Sequence, residues 1–364
     1  DNEGELIWHY NIGLPFTLDM DIRRISNGNL LLLLPPFLIV EIDMRGNIVR
    51  SWHASRTANG IEGSIPVDTN AFHHEAFEMQ NGNILTLSHE LRVYEDYPAE
   101  VIQGGRLVTA NVVGDVVVEF TRDGAIVNEW HMLDILDPFR LSYSSALGFY
   151  DGFYEENFGI EPPTFDWSHG NGVIHDTRDD SIIVSFRHQD AVIKIDRQTG
   201  ELKWILGDHA NWDQQQFGEF LLQPIVPGDL FFPYHLHAPM VTEDGNILLF
   251  DNGNFRASPF DPPLEELIFS RAVEYSIDEE QKQVEIVWES TGFSEEDIFA
   301  PFMGDADRLP VTGNVLIAFG GRDPAEIIEL THTMPPVEVF RLSTPNLSPL
   351  SFIYRAERLP NLYP

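Results

Sequence analysis

Short apolar runs recur along the whole chain, each set off by a tight polar turn. Asn27-Gly28-Asn29 precedes LLLLL, Asn81-Gly82-Asn83 precedes ILTL, Asp244-Gly245-Asn246 precedes ILLF, and Thr312-Gly313-Asn314 precedes VLIAF. Asp179-Asp180-Ser181 before IIVSF is a degenerate copy. Asn-Gly and Asp-Gly supply the positive φ that hairpins require. A second β-rich run follows each turn: IVEID (39–43), VVVEF (116–120), VIKID (192–196), VEYSID (273–278) and VEVF (337–340). A third run carries an aromatic, ending near Trp52, Trp130, Trp204, Trp288 and Tyr354. The most apolar stretch, Leu30 to Val40, contains Pro35 and Pro36 and is too short to span a bilayer. It reads as buried strand.

A repeat of this kind predicts a propeller. Five units are nearly complete, and GELIW (4–8) with Trp8 stands alone as a sixth outer strand. The expectation is an all-β, six-bladed β-propeller with mostly four-stranded antiparallel blades. One domain spans 1–364, and the N-terminal strand closes the ring and removes its exposed edges. Unit lengths are uneven, which leaves room for a blade between residues 91 and 165. The aromatic-rich insertion at about 139–167 breaks the repeat and reads as a lid or funnel wall.

Composition supports β structure, with 27 Gly and 24 Pro among 364 residues. The 58 acidic residues against 22 basic give a formal charge of −36. A field of that sign repels phosphate backbones, so nucleic acid is not an expected partner. It suits a solvated surface or life in high salt, where screening makes it tolerable. The absence of cysteine excludes disulfides and thiolate chemistry. The sequence starts at Asp1 rather than Met, which predicts a processed, secreted or periplasmic protein with no membrane span.

The thirteen histidines differ in placement. His74, His237, Asp305 and Met20 each lie nine residues before the last Asn of a turn (Asn83, Asn246, Asn314 and Asn29). His169 and Asn171 fall close to the same place in the third unit. In a propeller this strand lines the central channel, so His74, His169, His237 and Asp305 are expected in one axial cavity. Strand alternation adds His235 beside His237 and Asn171 beside His169, and Arg187 follows on the next strand. His9, His53, His131, His209 and His332 receive no role. Three neutral imidazoles suit a divalent metal. Imidazoles with a guanidinium and an amide suit an anion, with one imidazole as nucleophile. Arg187 favours the anion, because a guanidinium repels a metal but pairs with an oxyanion. No P-loop, H-E-x-x-H or G-x-S-x-G motif occurs. Asp251-Asn252-Gly253-Asn254 reads as a turn rather than a calcium loop.

FHHEAFEMQNGNILTL (72–87), WSHGNGVIHDTRDDSIIVSFRHQDAVIKIDRQTGELKWILG (167–207) and HLHAPMVTEDGNILLFDNGN (235–254) resemble the arylsulfate sulfotransferase family. Weaker matches are RLPVTGNVLIAFGG (308–321) and YRAERLPNLYP (354–364). The most specific element is His-x-Asn followed sixteen residues later by Arg. The resemblance implies a secreted or periplasmic six-bladed propeller that moves a sulfuryl group from a phenolic sulfate ester to a phenol. It needs no nucleotide donor and no cofactor. By position His237 is the implied nucleophile. His74, His169, Asn171 and Arg187 hold the sulfuryl oxygens, with His73, His235 and Asp305 as further binding residues. Of the pair His73 and His74, the repeat offset selects His74. His74 or His169 exchanges the phenolic proton, and residues 141–167 stack on the phenol ring. Many members carry an N-terminal β-domain that dimerises, whereas this sequence enters the first repeat almost at once, leaving oligomeric state open. A metal-assisted lyase or hydrolase, and a non-catalytic binding or surface-assembly propeller, are the competing readings.

Overall fold

The computed structural model describes residues 5, 7–11, 21–57, 61–100, 104–228, 231–257, 261, 268–294, 297–344 and 352–359. The repeated turns behave as their composition requires. Gly28, Gly82, Gly245 and Gly313 sit at φ of 86°, 82°, 87° and 70°, a region where a Cβ is strained. The Asn that follows each Gly then reaches sideways to a glutamate on the neighbouring strand. Asn29 donates to Glu41 (2.6 Å), Asn83 to Glu119 (2.6 Å), Asn246 to Glu274 (2.8 Å) and Asn314 to Glu329 (2.7 Å). The repeat motif is therefore a turn plus an internal hydrogen bond that stitches the second and third strands.

Each unit folds into a small antiparallel sheet. The first contains Ile22–Arg24, Leu30–Leu34, Leu38–Ile42 and Ile48–Ala54; the second contains His73–Glu78, Ile84–Pro98, Leu107–Phe120 and Ile126–His131. The third contains Gly170–Asp176, Ser181–Phe186, Ala191–Asp196 and Leu202–Gly207, and the fourth His237–Val241, Ile247–Asp251, Arg271–Asp278 and Gln283–Glu289. The fifth contains Asp305–Arg308, Val315–Phe319, Glu326–Leu330 and Glu338–Ser343. Apolar side chains fill the spaces between successive blades rather than one central core. Leu31, Leu33 and Trp52 meet Phe72 and Phe120 between the first two blades, and Leu248 and Phe250 meet Ile317 and Phe319 between the last two.

The propeller expectation holds, with a correction to the count: the described residues form five blades, not six. Among its described residues, the stretch from 91 to 165 holds no hidden blade. It is the extended tip of the second sheet followed by two short helices, Met132–Ile135 and Asp151–Phe158. The closing strand expected at 4–8 falls partly outside the described residues. Trp8 and Tyr10 are described, lie in no strand, and pack on Leu30, Leu32 and Val40 of the first blade. The Met20 position also lies outside the described residues. Leu30 to Val40 is not one strand but a hairpin that turns at Pro35-Pro36, because neither proline can extend a ladder. VEVF (337–340) falls on the outermost strand of the fifth blade, which begins at Glu338; the run that follows Val315–Phe319 is instead Glu326–Leu330. Tyr354 lies in an extended segment, 352–359, that is no strand.

That C-terminal segment bridges the fifth blade and the first two. Ile353 N–H donates to Gly320 O (3.2 Å), while Arg355 pairs with Glu75 (2.6 Å) and Asp21 (3.3 Å). The ion pairs between blades follow the same logic around the ring. The buried glutamate under each turn meets a nitrogen donor of the next unit: Glu41 the guanidinium of Arg122, Glu119 that of Arg197, and Glu274 the imidazole of His332. In the third blade the charges are exchanged, Lys194 meeting Glu279. Glu329 of the fifth blade meets Arg358, so the C-terminal segment supplies the charge a following blade would have supplied. The repeat tryptophans act at the same seams: Trp52 donates to Arg122 O, Trp204 to Glu279 and Trp288 to Thr333 O.

Candidate active site

The inner strands of the second, third and fourth blades begin irregularly, and these irregularities aim the site residues. His73 pairs with Leu87 and the next pairing is Ala76 with Thr86, so His74 and Glu75 form a bulge. His74 sits there at φ 59°. Register makes His73, opposite Leu87, the counterpart of His237 opposite Phe250 and of Asp305 opposite Ala318. His74 thus reaches the channel through the bulge, not through the strand position that its offset suggested. His169, at φ 48°, and Ala238, at φ 51° directly after His237, mark similar breaks in the next two blades. Left-handed backbone at a β-carbon-bearing residue costs on the order of 1–3 kcal/mol and clusters where side-chain direction matters.

His74, His169 and His237 line one cavity of about 280 Å3 with Arg187, His188, Leu147, Phe149, Phe302, Met303 and Tyr354. The His74 and His169 rings meet edge to face at 5.0 Å, and His188 stacks on His169 at 4.4 Å. Arg187 opens a short 3-10 turn after Ser181–Phe186. Its N–H donates to His169 O (3.1 Å) and its guanidinium to Pro301 O (3.2 Å), which carries the head group across toward the fourth-blade side.

The hydrogen bonds fix which nitrogens carry protons. Asn252 donates its amide to both Ala300 O and Met303 O at 2.7 Å, so its Oδ1 is the atom facing His237. An amide oxygen only accepts; therefore His237 Nδ1, 2.6 Å away, bears the proton and Nε2 keeps its lone pair. His188 Nδ1 donates to Asp166 O at 2.7 Å. His169 Nδ1 lies 2.5 Å from the Asp166 carboxylate, which orients that ring.

Burial, reinforced by the Arg187 guanidinium, holds the basicity of His237 well below the usual imidazole range. His74 and His188 are depressed well below it too, first by burial and then by their charged and imidazole neighbours. Burial also lowers Arg187, to about 10, which leaves it cationic at neutral pH. The arrangement is one half-buried cation beside the neutral imidazoles of His74, His188 and His237, an electrostatic complement to a small oxyanion.

Of the other residues expected here, none lines this cavity. Asn171 is spent on structure, donating to Leu236 O (2.6 Å) and accepting from Ser185 Oγ (2.6 Å). His235 is buried between Asp190 (2.9 Å) and Ser144 (2.7 Å). Alternation does not carry over because the strand starts only at His237 and His235 has φ 54°. His73 lies behind His74. Asp305 lines a separate axial cavity of about 160 Å3 with Arg23, Met240 and Asp307. Sequence reasoning missed Asn252, whose DNGN signal reads as an ordinary turn, and also His188, Phe302, Met303 and Tyr354. The aromatic insertion does deliver Leu147 and Phe149 to the wall. Asp166, His169 and His188 bring three ligand-type atoms within 4.8 Å of one another. The Asp166 carboxylate already serves His169, and Arg187 is a repulsive neighbour for a cation.

A family model described as arylsulfotransferase (ASST) matches residues 1–347. The arylsulfate sulfotransferase AssT of Escherichia coli O6:H1 is 28% identical over 286 residues, covering 68% of this chain and 45% of that protein. The arylsulfate sulfotransferase AssT of Lelliottia amnigena is 29% identical over 253 residues, covering 59% of this chain and 40% of that protein. The chain thus spans less than half the length of these curated relatives. A crystallised protein of unknown function from Bacteroides caccae superposes with a TM-score of 0.48 at 12% identity, covering 97% of this chain and 89% of that one.

Proposed function

Because the chain belongs to the arylsulfotransferase family, we propose that it transfers a sulfuryl group from a phenolic sulfate ester to a phenol, with His237 as the transient carrier. The observation that carries the reading is the Asn252 clamp, which leaves His237 Nε2 as a neutral nucleophile in a cavity with one half-buried arginine. In the first half-reaction Nε2 attacks sulfur, the S–O bond to the phenol breaks, and its electron pair leaves on the phenolate oxygen. In the second, a phenol oxygen attacks the sulfohistidine and the pair of the N–S bond returns to His237. Charge spreads over the three sulfuryl oxygens in such a transfer. Arg187 is the fixed donor for those oxygens, and His169 joins it when its Nε2 is also protonated, the Asp166 carboxylate holding its Nδ1–H. Phe149, Phe302 and Tyr354 give the aryl ring an apolar wall.

The same reading puts the enzyme outside the cytosol, where the ester itself must supply the sulfuryl group. Among the described residues no helix is long and apolar enough to cross a membrane. The test is release of 4-nitrophenol from 4-nitrophenyl sulfate in proportion to added phenol. His237→Ala should abolish it, and activity that survives this change refutes the nucleophile.

A further inference from the structure

Behind His74, away from the cavity, stands a second imidazole and then a carboxylate. His73 Nδ1 lies 2.9 Å from His74 Nδ1, and His73 Nε2 lies 3.4 Å from Asp115 Oδ1. Asp115 is itself pinned, accepting from Ser168 Oγ and from Gly170 N–H (2.7 Å). All three residues are buried. From this geometry we propose that His73 is a proton relay for the phenolic oxygen, taking and returning the proton of His74 with Asp115 as its counter-ion. The inference rests on the sulfuryl-transfer reading above.

The protons balance over the two half-reactions. With a proton on His73 Nε2 facing Asp115, His73 Nδ1 accepts from His74 Nδ1–H, and His74 meets a substrate oxygen through Nε2. When the acceptor phenol attacks, its proton passes to His74 Nε2 while the Nδ1 proton moves to His73 Nδ1. The result is a His73 imidazolium beside Asp115. When the ester is cleaved, His74 Nε2–H protonates the departing phenolate and His73 returns its proton to His74 Nδ1. Each half-reaction leaves the pair in the state the other needs.

Electrostatics runs the same way. Burial lowers His73 to about 4 against the pull of Asp115, and burial with His169 and Arg187 holds His74 well below the imidazole range. The Asp115 carboxylate, 3.4 Å from His73 Nε2, favours the positive charge on that ring. The other titratable or charged groups facing the pair are His89, Tyr150, His169, Arg187 and His237.

The test compares leaving groups in His73→Asn, whose amide stands in for Nδ1 but cannot pass a proton. General acid catalysis matters most for a basic leaving group, on the order of 10²-fold or more. kcat/KM should therefore fall at least tenfold further for phenyl sulfate than for 4-nitrophenyl sulfate. An equal loss for both esters overturns the relay, and would mean that His73 only packs against His74. Should the variant fail to fold, a proton inventory on the wild type with phenyl sulfate decides: a bowed dependence on deuterium fraction supports two protons in flight, a straight line refutes them. Failure of the transfer reading is separate, since it appears as no acceptor-dependent turnover in the wild type.

Discussion

Replacing Asn252 by Leu keeps the branched shape and heavy-atom count of the side chain and removes three hydrogen bonds at once. The bond to His237 Nδ1 is 2.6 Å and those to Ala300 O and Met303 O are 2.7 Å, all in a residue with no exposed surface. Ala300 O retains Ser270 Oγ at 3.3 Å, so two groups lose the partner described here: the His237 N–H and Met303 O. At roughly 1–3 kcal/mol per orphaned buried group, the fold should lose about 2–6 kcal/mol. A typical stability of about 5–15 kcal/mol leaves most molecules folded in the cold. The chemical loss is larger. Without the amide oxygen nothing holds the proton on Nδ1, and a proton on Nε2 removes the attacking lone pair. Misplacing a catalytic imidazole's tautomer costs on the order of 10⁴-fold in turnover. Stopped-flow release of 4-nitrophenol at 10 °C, with folding checked by near-UV circular dichroism, reads both effects. Asn252→Asp is the control. It keeps the acceptor, but its charge favours the imidazolium, so activity should recover as pH rises from 6 to 9. A folded Asn252→Leu enzyme whose turnover lies within threefold of wild type would refute the tautomer argument.

Arg187→Lys keeps a charge but loses the planar fork, and turnover should fall on the order of 10²-fold in steady-state assays. Phe149→Ala opens the aromatic wall and should raise KM for the acceptor phenol roughly tenfold with kcat little changed. Burial raises Asp307 from 3.8 to about 6. The folded state thus binds that proton more tightly than the unfolded chain, and its stabilising effect is full below about pH 3.8 and lost as pH climbs through about 6. The difference of about 2 pH units converts to about 3 kcal/mol. Asp307→Asn should therefore be more stable than wild type in urea melts at pH 7.5, with the gap closing below pH 4; equal midpoints at both would contradict it. Glu119→Ala breaks the half-buried pair to Arg197 at 2.8 Å and the bond from Asn83, and should lower stability by about 1–3 kcal/mol without changing KM.

The blades were legible because the hairpin turns are written locally: glycine at positive φ followed by an asparagine whose glutamate partner lies on the next strand. The number of blades was not, since the ring is completed by packing. Residues 352–359 carry no strand pattern, and their role depends on Arg355 meeting Glu75 and Asp21, and on Arg358 meeting Glu329, all distant in sequence. The cavity was legible in part. Equal offsets located His237, but His74 arrives through a bulge that periodicity cannot encode. Alternation failed for His235 and Asn171 because left-handed residues and bulges interrupt the strands. Asn252 was invisible because its task, holding a tautomer, is set by carbonyls of Ala300 and Met303 some fifty residues away.

Pre-steady-state mixing with 4-nitrophenyl sulfate and no acceptor is the most direct test of a histidine carrier. The account predicts a rapid burst of one 4-nitrophenol per chain, then near-silence until phenol is added, and no burst from His237→Ala. Linear release from the first turnover, or an undiminished burst in the alanine variant, would contradict it.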